Sequence, residues 1–232
     1  MTASSTVPPE PVGAALECLA VVTLTYGVRL AAPSLGVTRY VGSIAMVLAI
    51  VLATWHLARR GATWHSVGFA RPLNLGHSAA WTIGTFLVLT LILPAILEPV
   101  SAALALPPQH LERLGDIKGS TVRFLVLLFP IGWGTAAFGE ELVFRGFLNT
   151  RLAAAFGGGR AAIAAAAVGQ ALLFGLAHLY LGPRGVLNAS AIGLVAAGIY
   201  LADGRNLWPL IISHGLLDTV NLMFLRLGMG HG

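Results

Sequence analysis

Long apolar runs separated by short polar breaks dominate the chain. Near 14–33, 40–57, 78–98, 121–143, 161–180, 185–202 and 207–227 the sequence stays apolar for close to the ~20 residues that a helix needs to cross a ~30 Å hydrocarbon core. These runs predict an all-α, polytopic membrane protein of about seven transmembrane helices. The connections are short and carry breakers or charge: Pro33 to Arg39, Arg59-Arg60 through Arg71-Pro72, Pro107-Pro108 through Lys118, and the Gly157-Gly158-Gly159-Arg160 turn. No soluble domain fits between them. The alanine- and glycine-rich stretch 153–168 reads as a surface for close helix packing.

Composition sharpens this picture. The 232 residues are 56% hydrophobic and 10% charged, with a mean hydropathy of +0.82, whereas a soluble domain carries roughly a quarter charged residues. Such a chain cannot cover itself with polar surface, so membrane lipid is its expected surrounding. The net charge of +5 comes mostly from arginines scattered between the apolar runs, not from one basic block, which argues against nucleic-acid binding. Cys18 is the sole cysteine, so neither an intramolecular disulfide nor a thiolate metal cluster can form. The opening MTASSTVPPEPVG holds no Lys or Arg, unlike a cleavable signal peptide, and the first span is expected to remain in the membrane. The densest basic cluster, Arg59 to Arg71, would place the N-terminus and the 144–160 connection on the cytoplasmic side. Compactness and the abundance of alanine and arginine suggest a bacterial inner (cytoplasmic) membrane.

The chemistry lies in the acidic residues. Only nine exist, and a charge near the bilayer centre costs at least ~2.5–3.5 kcal/mol. The segment AAFGEELVFRGFL puts Glu140, Glu141 and Arg145 at the expected end of the fourth span. Glu141 and Arg145 form an i,i+4 pair in the favoured order and read as structural. Glu140 points about 100° away around the helix and is the candidate acid or base. Later spans add His178 in LLFGLAHLYLG and His214 with Asp218 in LIISHGLLDTVN. Three helices offering Glu, His, and His with Asp are expected to converge on one polar cavity. His56, His65, His77 and His110 sit near span ends, where interface solvation accounts for them.

These residues resemble the motifs of the CAAX-protease and bacteriocin-processing (CPBP) family of intramembrane peptidases. Two glutamates followed after three residues by arginine are Glu140, Glu141 and Arg145; Phe-x-x-x-His is Phe174 and His178; His-x-x-x-Asn/Asp is His214 and Asp218. The resemblance covers about 121–225. It implies a four-helix catalytic core at 121–227; residues 1–120, read from their hydrophobicity, are expected to supply N-terminal hydrophobic spans and connections of one continuous membrane domain. It further implies that Glu140 and His178 activate a water for attack on a peptide carbonyl, while His214 and the Asp218 position stabilise developing charge. Related peptidases commonly carry asparagine where this chain has Asp218. An ionised carboxylate would repel an oxyanion, so Asp218 is expected to hold the His214 tautomer, and Asn221, at i+7 from His214, to supply an amide donor.

Two histidines and a carboxylate are also a zinc set. A metallopeptidase would use His178, His214 and Glu140 or Asp218, and the metal-free glutamate mechanism is preferred over it here. The resemblance implies an endopeptidase that cuts near the C-terminus of a membrane-associated peptide or protein, a lipidated tail being one substrate type that the family name implies. Alternatives from other classes are a proton-coupled transporter, since intramembrane Glu, His and Asp also relay protons, and a non-catalytic immunity or scaffold protein on the same fold.

Overall fold

In hydrocarbon every backbone N–H and C=O must find its partner within the protein, and a helix achieves this inside one segment. The apolar runs accordingly form helices. The computed structural model describes residues 10–36, 40–72, 74–111 and 117–229, and the signal-peptide expectation therefore falls, through residue 9, outside the described residues. Seven helices are long and apolar enough to cross a membrane: α1 (Glu10–Leu35), α2 (Val41–Arg59), α3 (Leu75–Ala103), α4 (Thr121–Ala155), α5 (Arg160–Ala177), α6 (Leu179–Ala202) and α7 (Trp208–Leu227). No strand occurs among the described residues, and the chain is an integral, multi-pass, all-α membrane protein.

Local sequence sets several of the ends. The Asn74 side chain accepts from the His77 N–H at 3.0 Å and Ser120 from the Arg123 N–H at 3.2 Å, so α3 and α4 each start on a capping oxygen. The turn from α4 to α5 passes through Gly157 (φ 94°) and Gly158 (φ 80°), a left-handed backbone that glycine adopts without strain. Small residues then allow intimate packing of α5 on α6. A Cβ on Gly175 would fall 1.9 Å from Ser190 Oγ, and one on Gly193 would fall 3.0 Å from the Ala171 Cα. Gln170, wholly buried, crosses the same seam to the Gly193 carbonyl at 3.0 Å.

The fourth helix lies at the centre. It touches α1, α2, α5 and α7, and every residue from 139 to 149 is buried. From Leu127 to Leu148 its backbone winds in a wide π-type helix, closed by the Asn149 N–H on the Phe144 carbonyl five residues back. Phe144, Phe147 and Leu148 join Val21, Met46 and Phe174 in one apolar core, while Leu142 joins Tyr200, Leu207 and Leu210 in another. Such a helix is enclosed on all sides by protein.

This enclosure corrects the expected end at 143. α4 continues to Ala155, so Glu140, Glu141 and Arg145 lie inside a helix and 144–155 is no connection. The arginines do not stop the helix because each finds a carboxylate within the protein, Arg145 on Glu141 of the same helix and Arg151 on α1. Arg151 Nε reaches Glu17 Oε2 of α1 at 2.7 Å and its Nη1 reaches Glu10 Oε1 at 2.6 Å, while Arg60 Nε meets the other Glu17 oxygen at 2.5 Å and Arg60 also pairs with Glu10. A second difference is the break between α5 and α6. α5 stops at Ala177, a single 3₁₀ turn over Leu179–Leu181 opens α6, and His178 stands at the corner instead of inside a span.

Candidate active site

Glu141 sits on the enclosed part of α4 with 2% of its side chain exposed, and its Oε1 accepts from Arg145 Nη1 at 3.1 Å. The i,i+4 partnership expected from the sequence is present. Arg145 is 0% exposed, which requires that its charge be balanced on the spot. Its guanidinium also lies over the Phe174 ring, 4.2 Å from the centroid. The first and second motifs therefore meet by a cation stacked on an aromatic face.

Phe174 passes the contact on. Its ring meets Phe144 edge-on at 5.1 Å and the His178 imidazole at 4.7 Å. His178 Nδ1 lies 2.8 Å from the Phe174 carbonyl. A carbonyl can only accept, so Nδ1 carries the hydrogen, and in the neutral ring Nε2 keeps its lone pair. The Phe-x-x-x-His spacing thus fixes a tautomer whose outward nitrogen is a base.

From α7, His214 Nδ1 stands 2.9 Å from the same Glu141 Oε1, and the carboxylate accepts its hydrogen. The His214 Nε2 to Asp218 Oδ2 separation is 3.8 Å, beyond a hydrogen bond. The carboxylate that orients His214 is therefore Glu141 on α4, and not Asp218 one turn along α7 as the sequence suggested. Asp218 packs toward α4, where a Cβ on Gly132 would come 3.7 Å from Oδ2. Close by, Gly215 leaves room for Trp133, because a Cβ there would be 2.5 Å from the indole, whose Nε1 donates to Thr219 Oγ1 at 3.1 Å. Asn221 is exposed and makes no hydrogen bond to any described residue.

Glu140 differs from its neighbour. It is 9% exposed and its carboxylate makes no hydrogen bond to any described residue, although it feels the charges of His214, Arg29 and Arg145. The charge of His214 reaches Glu140, His178 and Asp218 alike. A cavity of about 370 Å³ between α3 and α6, lined by His77, Trp81, Thr85 and Ile199 among others, contains none of these residues.

Zinc does not fit the side chains as they stand. Among the described residues no three His, Cys, Asp or Glu side chains gather as a metal would require, including the set His178, His214 with Glu140 or Asp218.

Several side chains of this region escaped the sequence reading. Arg29 of α1 donates from Nη1 to the Ala177 carbonyl at 2.7 Å, next to His178, and Tyr26 donates to the Leu173 carbonyl. The signal for Arg29 was a charge late in the first apolar run with no acidic residue one turn away. Two span-end histidines also have partners that interface solvation does not describe: His77 Nε2 pairs with the buried Asp203 at 2.5 Å, and His56 Nδ1 lies 4.0 Å from Glu17.

The motif residues other than Glu140 and Asp218 thus form one connected path across three helices, from His214 through Glu141 and Arg145 to Phe174 and His178. Residues 122–220 match the sequence family described as Type II CAAX prenyl endopeptidase Rce1-like. No curated protein and no solved structure gives a significant match to the chain. The matched stretch runs through α4 to α7 and is similar to the CAAX-protease type that the three motifs resemble.

Proposed function

Starting from an Rce1-like core, we propose that this chain is an intramembrane endopeptidase that hydrolyses a peptide bond near the C-terminus of a membrane-associated peptide or protein, in a bacterial cytoplasmic membrane. The family match over residues 122–220 supports the CAAX-type peptidase in general. The observation that carries the mechanism is the contrast between two adjacent carboxylates. Glu141 is committed to Arg145 and His214, whereas Glu140 is buried with no hydrogen-bond partner among the described residues. An intramembrane carboxylate left without a partner has water or substrate as its remaining one.

In this reading a water held between Glu140 and Nε2 of His178 attacks the scissile carbonyl carbon and gives up its proton to one of the two. Glu140 and His178 share the general-base task, with the Phe174 carbonyl keeping the imidazole lone pair outward. His214 keeps its Nδ1 hydrogen in the bond it donates to Glu141, and its Nε2 donates to the developing oxyanion when the ring is an imidazolium carrying both protons. As the tetrahedral intermediate collapses, the C–N bond breaks and the abstracted proton passes to the leaving amine. Glu141 and Arg145 touch none of the reacting atoms; they position His214 and Phe174. The α4–α7 segment is the catalytic core, and α1 to α3 build the wall around it.

The test is cleavage of a membrane-tethered peptide by the purified chain and by Glu140→Gln. Loss of about a hundred- to ten-thousand-fold in rate is expected, the range of a lost general base. Unaltered cleavage by a folded Glu140→Gln protein would overturn the assignment.

A further inference from the structure

Arg29 enters the site from α1, outside the stretch that carries the family motifs. Its Nη1 donates to the Ala177 carbonyl at 2.7 Å, the residue before His178. Its Nη2 packs against α2 where Gly42 provides the space, since a Cβ on that glycine would lie 3.3 Å away. Its Nε is buried and has no hydrogen-bond partner. No ion pair joins Arg29 to any described carboxylate, yet its charge reaches Glu140, His178 and Tyr180. Capping the end of α5 uses one of the five N–H donors of a guanidinium and leaves the rest unassigned.

An unpaired cation beside a hydrolytic site in a membrane calls for an anion. A peptide cut near its C-terminus brings one with it, a free α-carboxylate that has to be desolvated alongside the scissile bond, and guanidinium binds carboxylate through two parallel hydrogen bonds. We propose that Arg29 binds the C-terminal carboxylate of the substrate and so sets how far from the chain end the cut falls. This rests on the endopeptidase reading above. It also gives α1 a part in substrate selection.

The experiment compares a farnesylated CAAX peptide as free acid and as carboxamide. Affinity is measured by fluorescence on the full chain in nanodiscs, with Glu140→Gln present to prevent turnover. The acid should bind roughly tenfold or more tighter than the amide, as a charge-assisted hydrogen bond would give. Arg29→Gln should bring the acid down to the level of the amide and leave the amide unchanged, while Arg29→Lys keeps part of the preference. Because acid and amide are compared on the same variant, any loss of folded protein cancels. Equal binding of acid and amide, no binding of either, or an equal loss of both in Arg29→Gln would overturn the proposal. Cleavage by chains with Glu140 intact is scored separately. A chain that prefers the acid through Arg29 yet never cuts it refutes the endopeptidase reading alone.

Discussion

Glu141 Oε1 accepts a hydrogen bond from His214 Nδ1 across 2.9 Å, joining the first and third motifs through a carboxylate that also balances a wholly buried arginine. The role first assigned to Asp218 therefore belongs to a residue 73 positions before His214 in the chain.

Replacing that carboxylate tests the division of labour between adjacent glutamates. Glu141→Gln keeps an oxygen that can accept from His214 but leaves Arg145 buried without a counter-charge. Breaking one side of a buried pair costs about 3–5 kcal/mol. Thermal unfolding in detergent should show a large loss of stability, and the protein that remains folded should keep more peptidase activity than Glu140→Gln. Complete inactivity of both variants at full folding would contradict this.

Asp218→Asn should be tolerated. The carboxylate is 3.8 Å from His214 Nε2 and makes no hydrogen bond to it, so the amide removes a charge without removing the orienting contact. Cleavage within several-fold of the parent and insensitivity to a chelator are expected for both proteins, because no metal-holding trio of side chains is assembled among the described residues. An inactive Asn variant that has also lost bound zinc would require the histidines and carboxylates to regroup around the ion.

Gly215→Ala probes the seam between α4 and α7. The new methyl would sit 2.5 Å from the rigid Trp133 ring, and overpacking of this kind costs typically about 1–3 kcal/mol. Since His214 is its neighbour, activity should fall together with the melting temperature. Unchanged activity and melting would show that α7 slides freely past Trp133.

The fold was legible to the extent that hydrophobicity alone decides it. All seven runs became spans, because a helix in lipid needs no information beyond its own length and polarity. The ends were legible only where a cap or glycine marks them. At 144–155 the polar residues Arg145, Asn149 and Arg151 looked like an interface, and the partner that lets Arg151 be buried lies on another helix, Glu17 being 134 residues away. The Glu141–Arg145 pair could be read because it is local. The His214 partner could not, since an i+4 aspartate looked as suitable as a glutamate whose approach depends on how α4 and α7 pack. Arg29 was counted among loop charges for the same reason: its meaning comes from the Ala177 carbonyl, 148 residues away.

The four-residue ion cluster of Glu10, Glu17, Arg60 and Arg151 also imposes an order on biosynthesis. Glu10 and Glu17 leave the ribosome first, Arg60 follows soon after, and Arg151 emerges only when the fourth span is nearly complete. Until then Arg60 is the one cation of the cluster present, meeting Glu17 Oε1 and Glu10 Oε2 and leaving the other oxygen of each for Arg151. A chain halted after the third span would hold both glutamates on Arg60, half-paired, until the fourth helix brings the second arginine.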